Sequence, residues 1–186
     1  MLKLCLASTF VIFLSMNNFA NANDLQKVRL EIIQADWPIT LMASVDIPSS
    51  PQKVWALLTD YDHLTEVSPQ METSRVLQRT EEKIVIEQTT ETRFLFFWKK
   101  INVKLNVLEK PFDEIAFYQT GGNMELFSGK WVLQPMEEGS VTRLIYRLKF
   151  KPDFYVPRWI VLRALEREVP EQLLLISERA ADLTPK

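Results

Sequence analysis

The sequence predicts an α+β domain in which a curved antiparallel sheet wraps around one long C-terminal helix. Apolar and polar residues alternate through most of residues 39–150, which is the period of half-buried strands. After Pro157 the apolar residues recur three and four positions apart, which is the period of an amphipathic helix. A one-sided sheet must cover its apolar face, and this helix is the only long amphipathic element in the sequence that can cover it.

A strand and two short helices begin the predicted domain. Alternating apolar residues indicate a long strand over 41–47, and a further strand over 28–33 is left open. Ser50 and Pro51 then mark a helix start, with a serine cap followed by proline at the first helical position. A second short helix is predicted over 61–67. The buried stripe of the first helix is predicted at Val54, Leu57 and Leu58.

Antiparallel strands fill the middle of the chain. Six of them are predicted, over 72–78, 83–94, 101–109, 114–120, 125–134 and 142–150. The third has one apolar face made by Ile101, Val103, Leu105 and Val107. The last has an apolar face made by Leu144, Tyr146, Leu148 and Phe150. Such one-sided strands are typical of an antiparallel sheet with one solvated face.

The C-terminal helix carries one continuous apolar stripe, made by Leu162, Leu165, Val169, Leu173, Ile176, Ala180 and Leu183. Pro170 lies within this helix and predicts a kink or a restart there. The order of strand, short helices, antiparallel strands and long helix indicates the helix-grip arrangement. That arrangement tends to leave a cavity between the sheet and the helix.

Residues 1–22 have the pattern of a secretory signal peptide, which leaves residues 23–186 as one domain. Lys3 gives a positive start, an apolar run follows over 4–16, and Ala20-Asn21-Ala22 supplies a small-x-small cleavage pattern. The sequence therefore predicts a periplasmic or secreted protein that is cleaved after Ala22. An uncleaved N-terminal anchor is the alternative.

Composition argues against several kinds of chemistry. The 186 residues include one histidine, His63, and one cysteine, Cys5, which lies in the predicted signal peptide. A two-histidine metal site and a Cys–His pair in the mature protein are therefore not expected, and neither is a metal or a cofactor. The net charge is −2, and the basic residues alternate with apolar ones, so nucleic-acid binding is not expected either.

His63 lies among three carboxylates, at Asp60, Asp62 and Glu66. An imidazole beside a carboxylate titrates near neutral pH, which suggests general acid–base chemistry. Capping and solvent exposure in a turn are the commoner explanation of such a cluster.

Several segments of the chain resemble one known group of proteins. They are residues 54–62, with the sequence VWALLTDYD, residues 129–135, with GKWVLQP, and residues 154–157, with FYVP. Together they are similar to the polyketide cyclase/dehydrase and coenzyme Q-binding group of START-like (SRPBCC) proteins, over roughly residues 39–183. Thr65 stands where that group often has proline. The resemblance implies the START/Bet v1-like helix-grip fold and a cavity for a hydrophobic ligand, and it implies no fixed catalytic set.

Polar and aromatic residues on the apolar faces are the candidates for ligand binding. They are Gln88, Thr90, Trp131, Tyr146 and, from the helix, Leu165. A ligand pocket is usually apolar with a few placed polar groups, and this set fits that description. The alternative is that Trp131 and Tyr146 are core residues whose N–H and O–H groups are satisfied by neighbours.

Two aromatic segments beside basic residues are candidates for a membrane contact or for the mouth of the cavity. Phe96 and Trp98 precede Lys99 and Lys100, and a second segment contains Phe154 and Trp159. Aromatic and basic side chains together suit the boundary between lipid tails and phosphates. Packing of two strand ends in the core is the alternative for the first segment.

The sequence thus predicts an exported protein that sequesters or carries a hydrophobic small molecule, such as a lipid, an isoprenoid or an aromatic polyketide-like compound. A cyclase/dehydrase- or hydrolase-type enzyme acting on such a ligand in the same cavity is the main alternative. An accessory module that binds another envelope protein through exposed aromatic residues is the third.

Overall fold

One antiparallel sheet of eight strands organises the part of the chain that the computed structural model describes, residues 27–94 and 97–182. The strands are β1 (Arg29–Gln34), β2 (Ile39–Ile47), β3 (Met71–Arg79), β4 (Ile84–Phe94), β5 (Phe97–Lys110), β6 (Glu114–Gly122), β7 (Met124–Met136) and β8 (Val141–Pro152). Their order in the sheet is β1-β2-β8-β7-β6-β5-β4-β3, and every neighbouring pair is antiparallel. The predicted signal peptide at 1–22, Phe96 and Leu183 lie outside the described residues.

Helices join and cover the sheet. They are α1 (Pro51–Thr59), a 3₁₀ helix (Tyr61–Glu66), a short 3₁₀ turn (Glu137–Gly139) and α2 (Arg158–Asp182). The long helix α2 packs against β2, β4 and α1, so the sheet curves around it. This arrangement confirms the predicted helix-grip fold. No helix within the described ranges is both long enough and apolar enough to cross a membrane.

Alternation places the apolar side chains of the strands on the concave face. In β2 every second residue is buried, from Ile39 to Ile47, and the residues between them are half-buried. In β8 the predicted face holds, because Leu144, Tyr146 and Leu148 are all buried. The six predicted middle strands are all present, and each ends within a few residues of its predicted bounds.

The start of α1 differs from the prediction in one respect. Ser50 is the N-cap residue and Pro51 follows at the first helical position, but the Ser50 side chain makes no capping hydrogen bond. The backbone carbonyl of Ser50 instead accepts bonds from the N–H groups of Lys53 and Val54, at 3.1 and 3.2 Å. The Ser50 hydroxyl therefore does not act as the predicted serine cap.

Two predicted stripes are shifted slightly. In α1 the buried residues are Val54, Trp55 and Leu58, while Leu57 is half-buried. In α2 the first turns bury Val161 and Ala164 rather than Leu162 and Leu165, which are half-buried. The helix runs through Pro170 as one element of 25 residues, so it does not restart there.

Candidate ligand-binding cavity

A cavity of about 230 Å³ lies between the concave face of the sheet and α2. Side chains from the first 3₁₀ helix, from β4 to β8 and from α2 line it. All five predicted ligand-binding candidates lie in its wall: Gln88, Thr90, Trp131, Tyr146 and Leu165. The sheet therefore brings together residues that are far apart in the sequence.

Four aromatic rings make one wall of the cavity. The rings of Trp131 and Tyr146 stack with their centroids 4.0 Å apart and their planes 17° apart. The ring centroid of Phe117 lies 6.5 Å from that of Tyr146 and 5.7 Å from that of Phe127. Gly129 pairs with Phe117 across the strands, and a Cβ at Gly129 would lie 2.7 Å from the Phe117 ring. The glycine therefore makes room for this aromatic wall.

The hydroxyl of Tyr146 has no hydrogen-bond partner among the described residues. The residue is 7% exposed and lines the cavity. Burial raises the pKa of Tyr146 well above its ordinary value, so the hydroxyl stays protonated and can donate a hydrogen bond. A core tyrosine usually satisfies its O–H group, so this free donor is what a polar ligand atom would need.

Uncharged polar side chains and one carboxylate make a second, polar part of the wall, here called the polar side. Its members are Ser68, Gln70, Gln88, Thr90, Thr92, Glu168 and Gln172. They come from the loop before β3, from β4 and from α2. Two hydrogen bonds join these segments, from Glu91 N to the Gln70 carbonyl at 2.8 Å and from Gln70 Nε2 to Glu171 Oε2 at 3.3 Å.

Glu168 is the one charged side chain among the described residues that line the cavity. Its side chain is 16% exposed and accepts a hydrogen bond from Arg167 Nη2 at 2.8 Å. Burial raises the pKa of the Glu168 carboxyl above its ordinary value, against the opposing effect of Arg167. Sequence reasoning missed this residue, although Glu168 lies four positions after Ala164 on the buried side of the helix.

Tyr61 also lines the cavity and was not among the predicted site residues. Its hydroxyl donates to Glu109 Oε1 at 2.6 Å, and the guanidinium of Arg79 lies 5.6 Å from its ring centroid. Burial, together with the bond to Glu109, raises the pKa of Tyr61 well above its ordinary value. Because this hydroxyl is already bonded, Tyr61 differs from Tyr146 and acts as a fixed part of the wall.

The two aromatic segments meet at one end of the molecule, here called the aromatic–basic patch. In the β4–β5 hairpin Trp98 is 60% exposed, and at the start of α2 Trp159 is 58% exposed. Phe154 is half-buried and lines the cavity, and Lys99 Nζ lies 4.6 Å from its ring centroid. The alternative interpretation, in which this segment packs in the core, is therefore wrong for Trp98. Phe96 lies outside the described residues.

His63 lies outside the cavity wall. Its Nδ1 is 2.7 Å from Asp60 Oδ1, and both side chains are more than half exposed. The hydrogen bond to Asp60 raises the pKa of His63 above its ordinary value. This placement fits a solvated ion pair in a turn. In the described part of the chain, no group of three or more His, Cys, Asp or Glu residues could hold a metal ion.

A curved antiparallel sheet that encloses a cavity against a long C-terminal helix is the START/Bet v1-like helix-grip fold. The family model for polyketide cyclase/dehydrase and lipid transport matches residues 47–174. The chain therefore belongs to that family. No curated protein matches the sequence.

Solved structures share this fold at low sequence identity. A START superfamily protein from Mycobacterium smegmatis has a TM-score of 0.66 and 13% identity, covering 78% of this chain and 99% of its own. A STAR-related lipid transfer protein from Xanthomonas axonopodis has a TM-score of 0.66 and 14% identity, covering 83% and 94%. The Zhui aromatase/cyclase from a Streptomyces species has a TM-score of 0.64 and 14% identity, also covering 83% and 94%. At these identities the likeness shows the fold alone.

Proposed function

We propose that this protein binds a hydrophobic small molecule in the cavity and sequesters or carries it. The observation that carries the proposal is the cavity between the sheet and α2, which has an aromatic wall around Tyr146 and polar side chains on one side. Membership of a family described by lipid transport as well as cyclisation supports it. Lipids, isoprenoids and aromatic polyketide-like compounds all have the apolar body that such a wall accommodates. A quinone with an isoprenoid tail, of the coenzyme Q type, belongs to the isoprenoids in this respect.

Binding would rest on burial of the apolar part of the ligand. Each square ångström of apolar surface removed from water contributes about 25 cal/mol, so a chain or ring enclosed by the aromatic wall gains several kcal/mol. Tyr146 and the polar side then fix the orientation of the polar atoms. The helix α2 forms the remaining wall of the cavity.

Native mass spectrometry of the purified protein tests this proposal directly. We expect an apolar ligand to co-purify with the wild type and to be lost from Ala164→Phe, which places a ring in the cavity. The matched control is Arg163→Phe, on the exposed neighbouring position of the same helix. Turnover of model esters or polyketones, abolished by Tyr146→Phe, would instead establish the enzyme alternative.

We propose in addition that residues 1–22 direct export and are removed. The positive start, the apolar run and the Ala20-Asn21-Ala22 pattern support this. Expression of the full chain in a bacterium should yield periplasmic protein whose mass corresponds to a start at Asn23. Full-length protein in the membrane fraction would establish the uncleaved anchor instead.

We propose that the aromatic–basic patch contacts a membrane when the ligand is exchanged. Trp98 and Trp159 are exposed, and Lys99 and Arg93 lie beside the aromatic rings of the same patch. Flotation with vesicles containing phosphatidylglycerol should recover the wild type and lose Trp98→Asp/Trp159→Asp. The control is Leu108→Asp, an exposed apolar residue toward the opposite end of β5. Equal flotation of all three proteins would contradict the membrane contact.

A further inference from the structure

We propose that the cavity selects an amphiphile whose head group donates hydrogen bonds and carries no negative charge, with the Glu168 carboxylate as its principal acceptor. This inference rests on the proposed function and adds the chemical class of the ligand. Single-chain alcohols and amines belong to that class, whereas fatty acids and phosphate-bearing lipids do not.

The distribution of polarity in the wall indicates an amphiphile rather than a uniformly apolar ligand. Aromatic and aliphatic residues of β5 to β8 make one part of the wall. The polar side lies apart from them, on β4, on the loop before β3 and on α2. Gln88, Gln70 and Glu168 each make one side-chain hydrogen bond and keep further hydrogen-bonding capacity, which the polar atoms of a ligand can use.

The register of the sheet separates the two parts. Gln88 pairs with Val103, and Thr90 with Ile101, towards the β4–β5 hairpin. Trp131 pairs with Ile115, on strand positions at the other end of the same sheet face. A ligand that reaches both parts therefore lies along the strands, with its head near β4 and its apolar body near the aromatic wall.

The charges of the wall exclude an anionic head group. Glu168 is acidic, and no Lys or Arg is among the described residues that line the cavity. Two cations beside lining residues are already engaged, because Arg167 bonds to Glu168 and Lys99 lies over the Phe154 ring. A buried anion without a counter-ion is strongly unfavourable, and here it would lie beside a second carboxylate.

Glu168 is suited to hold either a hydroxyl or an ammonium head. On its own helix it has Arg167 and Glu171 as charged neighbours, and across the cavity the polar side presents the uncharged Gln88 and Thr90. A hydroxyl would donate to the carboxylate, and an ammonium would form a charge-assisted hydrogen bond with it, which is about twice as strong as a neutral one. The amine should therefore bind more tightly than the alcohol.

Matched twelve-carbon probes test the selection: dodecylamine, 1-dodecanol, dodecanoate and the headless dodecane. Each is titrated below its micelle concentration or its solubility limit against the wild type loaded with the neutral dye Nile red, and displacement is measured. We expect the Kd values of dodecylamine and 1-dodecanol, obtained from dye displacement, to be at least about tenfold lower than that of dodecanoate. A tenfold difference in Kd corresponds to about 1.4 kcal/mol. Dodecane should bind more weakly than 1-dodecanol.

A conservative variant isolates the role of the carboxylate. Glu168→Gln keeps the size and one acceptor oxygen but removes the charge, so the affinity for dodecylamine should fall about tenfold and that for 1-dodecanol should change less than threefold. Glu166→Gln, on the exposed face of the same helix, is the control and should change neither. Thermal unfolding of each variant verifies that it is folded.

The outcomes separate this inference from the proposed function. Equal displacement by all four probes would overturn the head-group selection and leave hydrophobic binding intact. Tight binding of dodecanoate by the wild type, or an unchanged dodecylamine affinity in Glu168→Gln, would overturn the role of Glu168. Failure of the wild type to bind Nile red or any probe would overturn the proposed function itself.

Discussion

Gly122 ends β6 with a backbone that other residues rarely adopt. Its φ is +114°, and a Cβ there would lie 2.0 Å from the carbonyl oxygen of Asn102. Gly122→Ala should therefore lower the free energy of unfolding by about 2 kcal/mol or more, because both the backbone and the neighbouring strand must shift. Urea denaturation measures the change.

Gly121→Ala is the matched control for this substitution. A Cβ at Gly121 would meet only the Lys104 Cβ, at an ordinary contact distance of 3.7 Å. We expect a change of about 0.5 kcal/mol or less. Equal changes in the free energy of unfolding at the two glycines would contradict this explanation. The positive φ and the close approach to Asn102 would then not be the reason for glycine at position 122.

Glu168 should make stability depend on pH. Its pKa is raised in the folded protein, so the folded state binds the proton more readily than the unfolded chain does. The stability linked to this group is fully present below the ordinary Glu pKa and is lost as the pH rises through the raised value. Glu168→Gln removes that loss, so its melting temperature relative to wild type should be higher at pH 8 than at pH 4.

Thermal unfolding of wild type and Glu168→Gln across this pH range measures the difference. Glu166→Gln corrects for the loss of one negative charge from the exposed face of α2. A constant difference between wild type and Glu168→Gln at all pH values would show that the carboxyl is as easily ionised in the fold as in the unfolded chain.

Residue-scale prediction succeeded where alternation assigns a side chain to a face. Gln88, Thr90, Trp131 and Tyr146 are polar or amphipathic residues on apolar faces, and all four line the cavity. Glu168 was missed because a charged residue on a helix is normally assigned to the solvent side. Its place in the cavity wall depends on the packing of α2 against the sheet, a tertiary feature that the helical period does not contain.

At the scale of elements, two buried hydrogen bonds tie the segment before α1 to β8 and α2. Thr142 Oγ1 donates to the Ser49 carbonyl at 2.7 Å, and Ser49 Oγ donates to the Ala180 carbonyl at 3.0 Å. Ser177, one turn before Ala180, is also fully buried, but its hydroxyl has no partner among the described residues. Two serines in similar burial thus have opposite hydrogen-bonding states.

This contrast predicts opposite effects of the same substitution. Ser49→Ala should destabilise the fold by about 1–3 kcal/mol, because it leaves a buried carbonyl with one partner fewer. Ser177→Ala should leave stability unchanged or raise it by about 1 kcal/mol, because it removes an unsatisfied buried hydroxyl. Urea denaturation of the two variants measures both values. Similar losses in both would mean that packing rather than hydrogen bonding dominates at these sites.

Elements were predicted best where one period runs without interruption. The strands β2 and β8 fit closely, whereas β5 begins at Phe97, four residues before its predicted start. The aromatic run around Trp98 has no alternation, so its pairing with β4 is visible only in the register. The six residues from Tyr61 to Glu66 form a 3₁₀ helix. A sequence pattern of six residues is too short to distinguish such a helix from an α-helical turn.

At the scale of the whole molecule, the order of elements was enough to predict the helix-grip fold but not the chemistry of the cavity. The polar side combines Gln70, Gln88 and Glu168, which lie on three segments far apart in the chain. Only the curvature of the sheet and the packing of α2 bring these segments together. The cavity volume depends on the same packing, which periodicity does not describe.

A ligand that binds only the folded state must stabilise the whole molecule. At a free concentration about 100 times its Kd, the gain is about 2.7 kcal/mol. For a chain of this size each kcal/mol raises the melting temperature by about 2–4 °C. Dodecylamine should therefore raise the Tm of the wild type by about 5–10 °C at saturation, and dodecanoate at the same concentration should raise it far less.

Substitutions at two neighbouring positions of α2 connect this shift to the cavity. Ala164→Phe fills the space and should abolish the rise in Tm, whatever its own Tm without ligand, since the ligand can no longer enter. Arg163→Phe adds the same ring on the exposed face and should keep the full rise. A rise that persists in Ala164→Phe would place the amine on the surface rather than between sheet and helix. Because each shift is measured against the same protein without ligand, it reports occupancy of the cavity separately from the cost of the substitution.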